Sequence, residues 1–223
     1  MTSPLLFLSG AGLPAWIWDD VRAAHPDSSV AAYPDTGTLQ DYATKVLAEA
    51  PERFVIVAHS IGGVVASQLL AKAPERVDAL LGIAASFPKP GQSFLKALPF
   101  PNKLIISLAM RLAGTKPPEK AIRTGLTGGV DPAQADRIVA EFKPESQHLY
   151  RDPVPARHFP AHTAYLQTTQ DKEFPPSLQQ TYITNLNPTD TKTIPAGHLP
   201  MLTATTELSL AIKDFLEASP QEH

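Results

Sequence analysis

The chain holds no cysteine in its 223 residues. Disulfides, thiolate metal centres and a cysteine nucleophile are thereby excluded. It also lacks a basic cluster: no run of Lys or Arg exceeds two residues, and the net charge is −3. A nucleic-acid partner needs a clustered basic face, so none is expected. No apolar stretch approaches the ~20 residues of a membrane helix. Met1-Thr2-Ser3-Pro4 carries no basic residue, and the apolar run Leu5-Leu6-Phe7-Leu8 is far shorter than a signal-peptide core. These absences predict a cytoplasmic protein with no membrane partner. Nothing in the pattern asks for a metal or another cofactor. One residue type is in surplus: the 23 prolines are about twice the usual share, and many fall between positions 88 and 160.

What is present begins with length. A chain of 223 residues fits one domain, of a size that buries about 70% of its unfolded surface. The stretch Phe54-Val55-Ile56-Val57-Ala58-His59-Ser60-Ile61-Gly62-Gly63 organises the rest. Positions 54–58 are rich in β-branched residues and have strand length, while 64–72 have helix length and mostly apolar faces. A strand must become a helix within about two residues at Ser60. Such a turn strains the serine backbone and pushes its hydroxyl out at the sheet's carboxyl edge, as in the nucleophile elbow G-x-S-x-G. Ala58 stands in the first glycine place, where only a small residue fits.

Strand and helix patterns alternate along most of the chain. Strands are predicted at 5–8, 29–33, 54–58, 77–84, 163–168 and 191–194. Helices are predicted from Trp16 to just before His25-Pro26, at 39–50 with Thr38 as N-cap, at 64–72, at 177–186 and at 205–218. The alternation predicts an α/β fold: about six mostly parallel strands with helices on both faces. Between 86 and 160 it breaks. Helical pieces at 94–98, 104–112 and 132–142 are interrupted by Pro and Gly, with no strand candidate. So long a segment is not a plain loop. It is expected to be a helical cap inserted after the fourth strand, within a single domain spanning 1–223.

A serine hydroxyl needs an adjacent base. In this arrangement an acid and then a histidine should follow the serine, in loops at the carboxyl ends of later strands. His198 follows the last strand in Pro195-Ala196-Gly197-His198. Asp171 comes just after the fifth strand, with Glu173 as a rival and Asp190 at the wrong end of its strand. His59 should point away from Ser60. His158 and His162 have metal-pair spacing, but Pro160 disfavours the helix that would align them. Two backbone N–H groups are needed for an oxyanion; Ile61 and Ala11, the latter in the loop after the first strand, are the candidates. Trp16 and Trp18 read as packing residues.

These residues resemble the α/β-hydrolase superfamily, and within it the branch of small bacterial esterases, plant methyl-ester esterases and plant hydroxynitrile lyases. The resemblance rests on Ser9-Gly10-Ala11-Gly12 with Ala15-Trp16-Ile17-Trp18, the elbow, Ala84 through Gly91, Gln170-Asp171-Lys172 with Phe174-Pro175-Pro176, and Ala196-Gly197-His198 with Met201-Leu202. It implies a Ser60–Asp171–His198 triad and an esterase acting through an acyl-enzyme. Ser9 replaces the family's usual histidine. The lyases carry Thr at the place of Gly10 and Lys after the catalytic histidine, where this chain has Leu199. Ester hydrolysis is therefore expected ahead of cyanohydrin cleavage. A lyase-type reaction on the same triad and a non-catalytic small-ligand receptor are the alternatives. The apolar cap, with Phe87, Phe94, Leu98 and Leu108, implies a small to medium hydrophobic ester. Gly10, Leu199 and Phe87 are the substrate-contact candidates, and the expected state is monomer or homodimer.

Overall fold

The computed structural model describes residues 3–218. Six strands, β1 (Leu5–Leu8), β2 (Ser28–Val30), β3 (Phe54–His59), β4 (Val77–Ile83), β5 (His162–Thr168) and β6 (Asp190–Ile194), form one parallel sheet in the order β2-β1-β3-β4-β5-β6. The central strands are buried along both faces, which is why they read as continuous apolar runs. Strand β2 is shorter than its sequence suggests. Its ladder ends at Val30, and only the Ala31 N–H still reaches Phe7 O, at 2.9 Å. Tyr33 leaves the sheet to donate to Ser9 O at 3.0 Å.

The helices are α1 (Asp19–Ala24), α2 (Leu39–Glu49), α3 (Gly62–Lys72), α4 (Phe94–Ala97), α5 (Asn102–Ala113), α6 (Glu119–Ala121), α7 (Pro132–Glu141), α8 (Gln147–Arg151), α9 (Pro176–Leu186), α10 (Pro200–Thr203) and α11 (Thr205–Glu217). Side chains alternate across the strands. Leu6, Leu8, Ile56 and Leu80 therefore join a core with the apolar faces of α2, α3 and α9, while Phe7, Val55, Val57 and Leu81 join a second core with α1 and α11. Fully burying each such Leu, Ile, Val or Phe stabilises by about 1.5–3 kcal/mol. Thr38 caps α2 in a capping box with Asp41, as its position before Leu39 predicts.

Helices α4 to α8 fill the segment between β4 and β5, with no strand among the described residues. Three of them follow predicted pieces. Helix α6, continued by a π-turn at Ile122–Leu126, and helix α8 were not foreseen, and neither was α10. They are too short to show a helical period.

The insertion is tied down near the end of β1. Lys143 N donates to Gly12 O at 3.1 Å, Gly12 N donates to Glu145 Oε1 at 3.3 Å, and Tyr42 OH donates to Glu145 Oε2 at 2.7 Å. Asp152 Oδ2 accepts from Leu39 N at 3.0 Å, at the start of α2.

Candidate active site

The turn from β3 into α3 has the conformation its sequence demands. Ser60 takes a left-handed φ of 54°, strained for a residue with a side chain. Close packing leaves no alternative to glycine beside it. A Cβ on Gly62 would lie 2.3 Å from Leu8 O, and one on Gly63 would lie 2.4 Å from Ser86 O. The strained backbone is anchored by Ser60 N to Ile83 O at 3.3 Å and by Ser86 N to Ser60 O at 2.8 Å.

Three side chains from distant parts of the sequence meet at the carboxyl ends of the strands. Ser60 Oγ lies 3.0 Å from His198 Nε2, and His198 Nδ1 lies 2.7 Å from Asp171 Oδ2. All three residues are buried. With Nδ1–H donating to the carboxylate, Nε2 is free to accept the serine proton. Burial alone would raise the Asp171 pKa. The His198 charge and hydrogen bond, the Phe174 N–H and the Thr168 hydroxyl outweigh it and hold the pKa below the usual carboxylate value. Glu173 contacts this group only through its backbone N–H, which donates to Asp171 Oδ1 at 2.9 Å. Among the described residues the carboxylate bonded to His198 is that of Asp171.

Ile61 N and Ala11 N donate to no protein acceptor among the described residues. Ile61 immediately precedes α3, so the positive end of that helix faces the same place. Trp18 Nε1 donates to Ser9 Oγ at 2.9 Å, so the residue replacing the family's histidine is a packing anchor. Trp16 lies under the Arg137 guanidinium, 4.3 Å from it, away from the serine.

Ser60 and His198 open onto a cavity of about 730 Å³. Its walls are mostly apolar and come from the insertion and the Asp171 loop, with Phe94, Leu98, Ile106, Met110, Tyr150 and Phe174 prominent. That composition suits an apolar ligand part with its polar group at the serine. Two expected substrate contacts do not line it. Phe87 is fully buried against Phe159 and Tyr165. Leu199 is fully buried in the core with Met201 and Leu208. Both follow a loop-forming signal, but their side chains turn into the protein. Leu108 is exposed to solvent instead of the cavity. Gly10 abuts the serine: a Cβ there would lie 3.0 Å from Ser60 Cβ and 3.1 Å from His59 Nδ1. It therefore shapes the floor without lining the cavity wall. His162 stacks on Phe215 and bonds its backbone oxygen, so it is a packing residue. His223 lies outside the described residues.

The sequence model of the alpha/beta hydrolase family matches residues 5–209. The chain belongs to that family. It is 41% identical to the pimeloyl-[acyl-carrier protein] methyl ester esterase of Pectobacterium carotovorum over 93 residues. That match spans 37% of this chain and 36% of the curated relative's length. A methylesterase from Arabidopsis superposes with a TM-score of 0.76 at 16% identity, covering 96% of this chain and 99% of the other. A pyrethroid hydrolase from Sphingobium faniae superposes with a TM-score of 0.76 at 19% identity, covering 98% of each chain. At such identities the likeness is one of fold.

In this α/β hydrolase two buried polar residues support the site without having been singled out for that role. Gln179 on α9 accepts from Thr168 N at 3.0 Å and donates to Thr168 O and Phe174 O. It thereby staples both ends of the Asp171 loop. Its signal was present: Gln179 shares a helical face with Tyr182, Ile183 and Leu186, where a polar residue needs a partner. His59 turns from Ser60, as expected, and its Nε2–H donates to His198 O at 2.8 Å. No local pattern announces that contact, because it joins positions 139 residues apart.

Proposed function

We propose that this protein is a serine carboxylesterase acting on small to medium hydrophobic esters. The observation that carries the reading is the continuous contact Ser60–His198–Asp171, opening onto an apolar cavity. Ser60 Oγ attacks the ester carbonyl carbon while its proton passes to His198 Nε2. Asp171 keeps the imidazole in the productive tautomer and stabilises the imidazolium. The Ile61 and Ala11 N–H groups are assigned to the oxyanion of the tetrahedral intermediate. The alcohol departs with the proton from Nε2, leaving an acyl-enzyme. Water then attacks the acyl carbon and gives a proton to Nε2. That proton returns to Ser60 Oγ as the carboxylic acid leaves.

The apolar cavity takes the acyl chain in this reading. The curated relative named above acts, by its name, on a methyl ester of a carrier-bound acyl chain, and a small alcohol with a longer acyl part is consistent with the cavity. No observation favours cyanohydrin cleavage, since the position after His198 holds a fully buried leucine.

The test is a p-nitrophenyl ester series together with fluorophosphonate labelling. Wild type should turn over butyrate and hexanoate esters and take one label. Ser60→Ala should remain folded, lose the label and lose turnover by a factor on the order of 10⁴ or more. Label retained at another serine overturns the assignment.

A further inference from the structure

The surface charge of this acidic chain is divided unevenly. Residues 79–118 contain no Asp or Glu but include Lys89, Lys96, Lys103, Arg111 and Lys116, so every one of the 22 acidic residues lies elsewhere. Each of these five cations is exposed. Among the described residues none has an ion-pair partner.

The exposed large apolar side chains gather in the same stretch. Phe100, Leu104, Ile105, Ile106, Leu108 and Leu112 are all exposed, and the one other such residue among those described is Leu210 on α11. Phe100 and Leu112 are 72% and 80% exposed. Leu104, Leu108 and Leu112 succeed one another at i, i+4 and i+8, so they form one ridge on α5. Arg111 is three residues from Leu108 and lies beside that ridge, with Lys103 further round the same flank. The other side of α5, through Ala109 and Met110, walls the cavity that holds Ser60.

We infer that this face of α5 rests on an anionic lipid surface. An apolar ridge flanked by Lys and Arg, on a helix too short to span, is the pattern of a helix lying in the plane of a bilayer interface. The ridge is convex and its side chains stand out, so it inserts between lipid headgroups and needs no matching groove. The cations beside it, with no carboxylate nearby in the sequence, select negative headgroups. A second copy of the chain is a poor occupant: a two-fold contact through this face would set Lys103 and Arg111 against their own counterparts. The sequence shows no span of membrane length and therefore gives no hint of this contact. Docking in this way would bring α5, one wall of the cavity, to the phase where apolar esters concentrate. That consequence rests on the esterase reading, but the docking itself does not.

The test is sedimentation of the full chain with vesicles of phosphatidylcholine alone and of phosphatidylcholine mixed with phosphatidylglycerol. Partition of wild type onto the anionic vesicles should exceed that onto neutral ones by about tenfold or more and fall as salt is added. The triple variant Leu104→Gln, Leu108→Gln, Leu112→Gln should lose that partition. Lys103→Gln with Arg111→Gln should lose the anionic preference. Thermal melting and hydrolysis of p-nitrophenyl acetate, read in the absence of lipid, should match wild type for both variants. Leu108→Trp should show a blue-shifted emission on anionic vesicles, which keeps the idea testable should the triple variant misfold. Absence of wild-type partition overturns the inference. So does a dimer that the triple variant dissolves, or a lipid-independent complex with an acidic acyl carrier protein that the same variant abolishes. Vesicle partition, tryptophan emission and oligomeric state are read without ester turnover, so their failure leaves the esterase reading standing.

Discussion

The two halves of the site are built to different standards. At the sheet end, Ser60, His198 and Asp171 are buried and bonded to one another, and behind them stand Gln179, Thr168 and His59, each fixed by further hydrogen bonds. In the insertion, α5 buries only Met110 and exposes most of its length, and its polar ties to the body are few. The first half fixes atoms to fractions of an ångström, as bond making demands. The second half encloses volume, which many side chains can do. Substitutions at the sheet end should therefore cost reaction rate. Substitutions in the insertion should change which ester is preferred.

The comparison is tested most severely at Asp171. An amide at this position holds the imidazole in the wrong tautomer, and in a serine protease the same change lowers turnover by about 10⁴ with geometry preserved. Asp171→Asn should reduce kcat for p-nitrophenyl butyrate by that order. It also weakens the bonds from Phe174 N and Thr168 Oγ1, a stability loss of about 1–3 kcal/mol. Glu173→Gln should leave kcat within a few-fold of wild type. A larger loss in Glu173→Gln than in Asp171→Asn would mean that Glu173, two residues further along the same loop, is the acid.

Glu145 is where the halves touch. Its carboxylate accepts from Gly12 N and Tyr42 OH, next to the loop that presents Ala11. Burial raises its pKa, against the Tyr42 and Gly12 hydrogen bonds. Glu145→Ala should loosen that loop and lower kcat by about tenfold, less than loss of an oxyanion donor itself. KM for a short ester should change little. Glu145→Gln keeps an acceptor for Gly12 N and should recover most of the rate. Equal damage by Ala and Gln would show that charge, and not loop position, is what matters.

His59 gives a pH-dependent contrast. Burial, reinforced by the neighbouring His198, lowers its pKa to about 3. The unfolded histidine titrates near 6.5, so between these values the unfolded chain holds a proton that the folded chain refuses. The stability this contributes is present above about pH 6.5 and is lost progressively as pH falls towards 3. Thermal melts from pH 7 to pH 4 should fall more steeply for wild type than for His59→Asn. Parallel slopes would remove His59 from the account.

Legibility followed the same division. Ala58, Ser60 and Gly62 lie within five residues, and their strained turn is dictated by local chain geometry, so the sequence displays it. The sheet was legible because parallel strands buried on both faces leave unbroken apolar runs. The placing of Asp171 and His198 after strands followed from that frame. Side-chain direction did not. Phe87 and Leu199 stand in loops beside the site, yet whether a loop residue faces a cavity or the core depends on partners far away in sequence, such as Phe159 for Phe87 and the core cluster holding Ile17 and Ile138 for Leu199. The short helices α6 and α8 were hidden for a different reason: a helix of one turn, held by tertiary contacts, shows no period.

The mildest test concerns cavity volume alone. Ala109 sits on α5, exposed along the chain surface and lining the cavity. Ala109→Phe places a ring in space now open to an acyl chain. The change should cost little stability, about 0.5 kcal/mol of helix propensity, because the position is not packed in a core. Its effect should depend on substrate length. Acetate and butyrate esters should keep kcat/KM within about twofold. Decanoate should lose up to about tenfold, the scale of losing one or two methylenes' worth of apolar contact. A uniform loss across the series would place Ala109 near the reacting carbonyl instead. No loss at any length would mean that the acyl chain leaves the serine in another direction, and that the insertion encloses the alcohol.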